Sequence, residues 1–282
     1  MTRLVAVPNV SEGRDEAVLD AIGAAFATDA EVLHRSADVD HHRAVFFLAG
    51  EPGRLHRALA AGAAEAAARI DLHDHDGLHP RVGALDVAPI VFVEDALRGA
   101  AIAEALLAAD AIGAAGIPVF LYGELAGGRT RAELRRGGPA GLAARGTPPD
   151  YGPARLHPTA GATLVAARAP LIAFNLELAA PATLEDEQQI AALISAPGEE
   201  GLPGVRALGL RLARRDVIQV STNIEDHRVV TAPDVLRAVM RHRPVARAEL
   251  VAPAPEAALA GWPVDVELRM PATIEALLGP GR

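Results

Sequence analysis

The order of its apolar segments is the strongest constraint this chain places on its fold. Short runs rich in Val, Ile and Leu alternate with longer alanine-rich amphipathic runs, and the same order occurs twice. Residues 3–8 read as a strand and 15–27 as a helix, with Ser11 expected to cap it. Two strands at 31–37 and 43–49 flank the polar turn Asp38-Val39-Asp40-His41-His42. A helix over 53–70 and a strand over 84–93 complete a βαββαβ order, the split βαβ unit of ferredoxin-like folds. A helix at 99–115 and a strand at 117–122 follow. The second half repeats the order, with strands at 171–178, 204–212, 217–224 and 244–252 and helices at 183–195 and 232–242. The expected fold is α/β (α+β): two subdomains, 1–180 and 181–282, each a βαββαβ sheet-and-helix layer. Residues 123–160, rich in Gly, Pro and Arg, read as a long loop with a functional role, and the Pro/Ala-rich tail after Pro253 has no assigned place.

Composition narrows the chemistry. All 27 basic residues are arginine, which excludes a lysine Schiff base and a Walker A lysine. Cysteine is absent, which excludes thiol catalysis, disulfides and cysteine-ligated zinc. The net charge of −9 argues against a nucleic-acid partner. The first residues contain no long apolar segment, and Glu104 and Asp110 interrupt the alanine-rich run 99–116. A cytoplasmic protein with no membrane partner is therefore expected.

Three stretches could carry chemistry. The segment from Asp71 to Arg81 holds His73, His75 and His79. It reads as a solvated polar loop, as the seat of a general acid/base histidine, or as a metal site of the three histidines, although the spacing matches no helical ligand pair. The turn holding Asp38, Asp40, His41, His42 and Arg43 reads as an ordinary hairpin turn or as the source of a carboxylate that orients a catalytic histidine. The stretch Asp150, Tyr151, Gly152, Pro153, Ala154, Arg155, Leu156, His157, Pro158 and Thr159 reads as a binding loop or a linker. Arg81 could bind a substrate carboxylate or make a structural salt bridge. Asn9, at the end of the first strand, could face a pocket, and the arginines of 129–136 could attract an anionic ligand.

Taken in chain order, these stretches resemble the formiminotransferase family. The likeness runs through VPNVSEGRD at 7–15, DVDHHRAVFFLAGEP at 38–52, HDGLHPRVGALDVAPIVFV at 75–93 and PVFLYGE at 118–124. It continues through ELRRGG at 133–138, DYGPARLHPTAGATLVAAR at 150–168, LIAFNLEL at 171–178 and VIQVSTNIED at 217–226. The resemblance implies transfer of a formimino group between 5-formiminotetrahydrofolate and glutamate. Tetrahydrofolate would be the co-substrate, N-formimino-glutamate the partner product, and no metal is expected. It also implies a groove for the folate between the subdomains, a homodimer, and a monofunctional chain without a cyclodeaminase domain. His79 would be the acid/base, supported by Asp40 or Asp38, and residues 150–159 would contact folate. Leu78 stands where the family often has Glu. A formyl donor, a metal-dependent hydrolase and a folate-binding protein without catalysis are the rival readings.

Overall fold

The computed structural model describes residues 3–279. The chain divides between Ala169 and Pro170 into two compact units. The first contains β1 (Leu4–Ala6), β2 (Asn9–Val10), α1 (Glu16–Phe26), β3 (Glu31–Asp38), β4 (Arg43–Gly50), α2 (Leu55–Arg69), β5 (Leu85–Val91), α3 (Arg98–Ala114), β6 (Val119–Leu121), α4 (Arg131–Arg135), α5 (Gly138–Ala144) and β7 (Thr163–Arg168). Asp15 caps α1 by accepting from the N–H groups of Ala17 and Val18. The expected cap, Ser11, instead donates its hydroxyl to the carbonyl of Gly83 at 2.7 Å. It ties the end of β2 to the turn before β5.

The seven strands form one sheet. β1 and β2 lie between β4 and β5 and are antiparallel to both, while β3 pairs with the far side of β4. This is the split βαβ order. β7 and β6 extend it in parallel beyond β5. Helices α1, α2 and α3 cover one face, burying Leu19, Ile22, Phe26, Leu59 and Ile112 against Phe46, Leu48 and Ile90. Alanine suits α2 and α3 because Ala63, Ala66, Ala105, Ala108 and Ala109 are all buried and let the layers approach closely.

Residues 123–160 are not one irregular loop. Thr130 and Glu133 close a capping box on α4, and α5 follows. Leu134 and Leu142 from these short helices pack on Val87, Phe120 and Leu164, on the sheet face opposite α1–α3. Periodicity missed them because each is too short to show a repeat.

The second unit contains β8 (Ile172–Leu178), α6 (Leu184–Ile194), β9 (Val205–Leu212), β10 (Val217–Ile224), α7 (Ala232–Met240), β11 (Val245–Leu250), β12 (Glu267–Arg269) and α8 (Ile274–Leu278). Its sheet order is β12-β11-β8-β10-β9, again the split βαβ arrangement. β8 is its inner strand, hydrogen-bonded to β10 and β11. The unit boundary therefore precedes β8, whereas the sequence reading puts it after residue 180. The tail adds β12, parallel to β11, and α8. Among the described residues, no helix is long and apolar enough to cross a membrane.

Candidate active site

In the first unit, buried charge gathers around Asp86 on β5. Asp86 is fully buried in an otherwise apolar strand. Its Oδ2 accepts from Arg43 Nη1 at 2.8 Å and from Arg135 Nη2, and its Oδ1 accepts from the N–H of Val82 at 2.8 Å. Burial opposes the charge on Asp86, but Arg135 and Arg43 outweigh it and hold the carboxyl well below the usual carboxylate range. Arg43, at the start of β4, also donates from Nε to Asn9 Oδ1 at 3.1 Å. Burial lowers the Arg43 guanidinium to about 10, against the pull of Asp86. Arg43 thus stays charged at neutral pH, and the cluster holds two guanidiniums and one carboxylate.

His79 lies within electrostatic reach of this cluster. The residue is partly exposed, yet its Nδ1 is buried and has no hydrogen-bond partner among the described residues. Burial and the charges of Arg43 and Arg135 hold the imidazole well below the usual histidine range, with Asp86 pulling the other way. The ring is therefore neutral at physiological pH. The His41 ring lies 6.3 Å away between centroids.

The loop carrying His79 is fixed from several sides. The Leu78 N–H donates to the Asp40 carbonyl at 3.1 Å. His75 stacks on His42 at 4.3 Å between centroids, and its Nε2 is 2.8 Å from the His42 carbonyl. The Gly77 N–H donates to His75 Nδ1 at 3.1 Å, so the Nε2–H tautomer of His75 fits both bonds. Burial pushes His75 down to about 4. Gly77 has to be glycine, since a Cβ there would sit 2.3 Å from the His41 carbonyl oxygen and 2.5 Å from His42 Cβ. Arg81 clasps the carbonyls of Gly77 at 2.9 Å, His79 at 3.2 Å and His75. Its Nη1 and Nη2 are thereby tied to the loop.

The two candidate supporting carboxylates sit in the turn between β3 and β4, against the loop that carries His79. Asp38 Oδ1 is 2.9 Å from His41 Nδ1 and accepts from the N–H groups of Asp40 and His41. Asp38 therefore orients His41. Asp40 is buried in the same turn and contributes its backbone carbonyl to the His79 loop.

The stretch Asp150–Thr159 is anchored at both ends. Asp150 Oδ2 accepts from the Leu121 N–H at 2.7 Å and from Arg129, and the carbonyl of Tyr151 accepts from Val119. At the other end, the Thr159 carbonyl accepts from Leu72 at 2.9 Å, and His157 Nδ1 accepts from the Ala160 N–H at 3.0 Å. Gly161 (φ 68°) seats this end on the His79 segment, because a Cβ would meet the Val82 carbonyl oxygen at 2.0 Å. Leu156 packs into the core below. Gly152, Pro153, Ala154, Arg155 and Pro158 are exposed on a fixed backbone.

The three histidines proposed as metal ligands do not converge. His73 is exposed and paired with Asp71, His75 is stacked on His42, and His79 lies in the field of the arginines. Among the described residues, no group of three His, Asp or Glu is arranged to hold a metal ion. Sequence reasoning missed Asp86 and left Arg135 without a specific role. A lone Asp inside the run ALDVAPIVFV was a usable signal, since a carboxylate buried there requires a cation.

This geometry defines a mixed α/β protein with a neutral histidine, its Nδ1 buried, in a cationic setting. A family model described as "Formiminotransferase domain, N-terminal subdomain" matches residues 3–168, and the chain belongs to that family. It is similar to the glutamate formimidoyltransferase of Streptococcus pyogenes serotype M1, 35% identical over 228 residues, covering 77% of this chain and 76% of the relative. The glutamate formimidoyltransferase of Thermoplasma acidophilum is 32% identical over 240 residues, covering 81% and 78%. The formimidoyltransferase-cyclodeaminase of Rattus norvegicus is 34% identical over 284 residues, covering 92% of this chain. The chain spans about half of that relative, 51% of its length.

Proposed function

We propose that the protein transfers a formimino group between 5-formiminotetrahydrofolate and L-glutamate, with His79 as the general acid/base. One observation carries the assignment of the base: His79 Nδ1 is buried, lacks a protein partner, and belongs to an imidazole kept neutral. The amine of glutamate is largely protonated at neutral pH and must lose a proton before it attacks the formimino carbon. A neutral imidazole takes that proton. The resulting imidazolium then protonates the departing folate nitrogen, so one side chain serves both steps. We assign to Asp86 the carboxylate field that favours this imidazolium, where the sequence reading names Asp40 or Asp38. The exposed residues Gly152–Arg155 suit contact with folate, because a ligand can approach their backbone closely. Asn9 acts through Arg43, and Arg81 through the loop it holds. A cytoplasmic homodimer is part of the same reading.

The test is direct. The purified chain, 5-formiminotetrahydrofolate and glutamate are combined without added metal, and N-formimino-glutamate and tetrahydrofolate are quantified. Stoichiometric transfer supports the proposal. Transfer from 5-formyltetrahydrofolate alone would move the assignment to a formyltransferase, and silence with both donors would remove it.

A further inference from the structure

We infer that Arg135 is the anchor for the α-carboxylate of the amino-acid substrate, completing the buried cluster of Arg43, Asp86 and Arg135. The inference rests on the glutamate reading above and adds the residue that selects an α-amino acid.

The cluster's charge motivates it. Two guanidiniums, with side chains 8% and 11% exposed, share one fully buried carboxylate. Asp86 already accepts from Arg43, Arg135 and Val82. Arg135 Nε is buried and has no hydrogen-bond partner among the described residues. A buried cation with an unused donor is costly unless an anion meets it.

The two orphaned atoms of this cluster are complementary to one kind of molecule. His79 Nδ1 is a buried atom on a neutral base, and Arg135 Nε is a buried cationic donor. An α-amino acid carries an ammonium and a carboxylate on the same carbon, so it supplies the partner each atom lacks. Arg135 is also held in advance. The Thr130–Glu133 capping box fixes the start of α4, Leu134 is buried, and Arg145 donates to the carbonyls of Leu134 and Arg136 at 2.7 Å each. A donor fixed before binding loses little entropy on binding. The arriving carboxylate would also offset part of the positive field that weakens His79 as a base, so its basicity would rise when the amine is in place.

The experiment measures steady-state transfer by the wild type, Arg135→Gln and Arg135→Lys with varied glutamate at saturating folate donor. Glutamine and isoglutamine, the γ-amide and α-amide of glutamate, are compared as acceptors and by calorimetric binding. Arg135→Gln should raise KM for glutamate about 10- to 100-fold and leave KM for folate within about twofold. The wild type should reject the α-amide far more strongly than the γ-amide, and Arg135→Gln should lose that discrimination. If Arg135→Gln fails to fold by circular dichroism, Arg135→Lys keeps a charge beside Asp86 without the Nε edge and should still raise KM about tenfold. An unchanged KM for glutamate, or discrimination that survives the substitution, overturns the inference. Wild type that binds glutamate over isoglutamine through Arg135 yet transfers nothing would overturn the reaction and leave the anchor standing.

Discussion

Each unit buries a carboxylate between two guanidiniums, but the surroundings differ. In the first, Asp86 holds Arg43 and Arg135, whose side chains are 8% and 11% exposed, and His79 lies in their field. In the second, Glu177 on β8 meets Arg247 and Arg215, whose side chains are 36% and 26% exposed. Water reaches these two arginines more than Arg43 and Arg135 and screens the second cluster, so it works as a brace across strands. The first cluster lacks that screening, so its charges act on one another and on the imidazole. The two clusters occupy different strands of the same topology, Asp86 on β5 and Glu177 on β8, and burial of the arginines is what separates them.

The sharpest break of this comparison is at His79. His79→Ala should lower transfer by about 10²–10⁴-fold while 5-formyltetrahydrofolate still binds. Retained turnover would move the chemistry out of the Asp86 cluster. Next come the two carboxylates. Asp86→Asn leaves two buried guanidiniums without a countercharge and should cost about 3–5 kcal/mol in urea unfolding. Glu177→Gln should cost about 1 kcal/mol, because its arginines reach solvent. Equal losses would mean that burial does not separate the clusters.

Glu187 should give the second unit an alkaline sensitivity, beside an acid sensitivity that Asp86 and His75 give the first. Asp86 and His75 have native values below their unfolded ones, so the unfolded chain binds more protons. The first unit should therefore lose stability on acidification, from about pH 6.5 down through 4 for His75 and lower for Asp86. Glu187, at the start of α6, is buried against the Leu210 N–H. Burial pushes it up from 4.5 to about 8. Its native form binds the extra proton, so its contribution is present at low pH and lost as pH rises through 8. The single tryptophan, Trp262, packs edge-on to Phe174 in the second unit. Its fluorescence should report unfolding at lower urea at about pH 9 than at about pH 6, and Glu187→Gln should remove that difference. A Trp262 transition that does not move with pH would show that Glu187 is not titrating. The smallest effect belongs to Asp38. Because it holds His41, Asp38→Asn should lower turnover less than about tenfold; a loss matching His79→Ala would return it to the support of His79.

What the sequence determined by itself follows from local physics. Alternation and helical periodicity marked the longer strands and helices of both units, because each must bury one face. The motif around His79 was visible because its residues are contiguous. Ser11 was misread as a cap because capping and a long-range hydroxyl bond use the same residue type, and only the fold brings Gly83 within reach. Tertiary structure alone decided the charge cluster. Arg43, Asp86 and Arg135 are separated by tens of residues and meet only when β4, β5 and α4 pack. The basicity of His79 was likewise decided there, since burial and the field of two arginines depend on distance through space rather than along the chain.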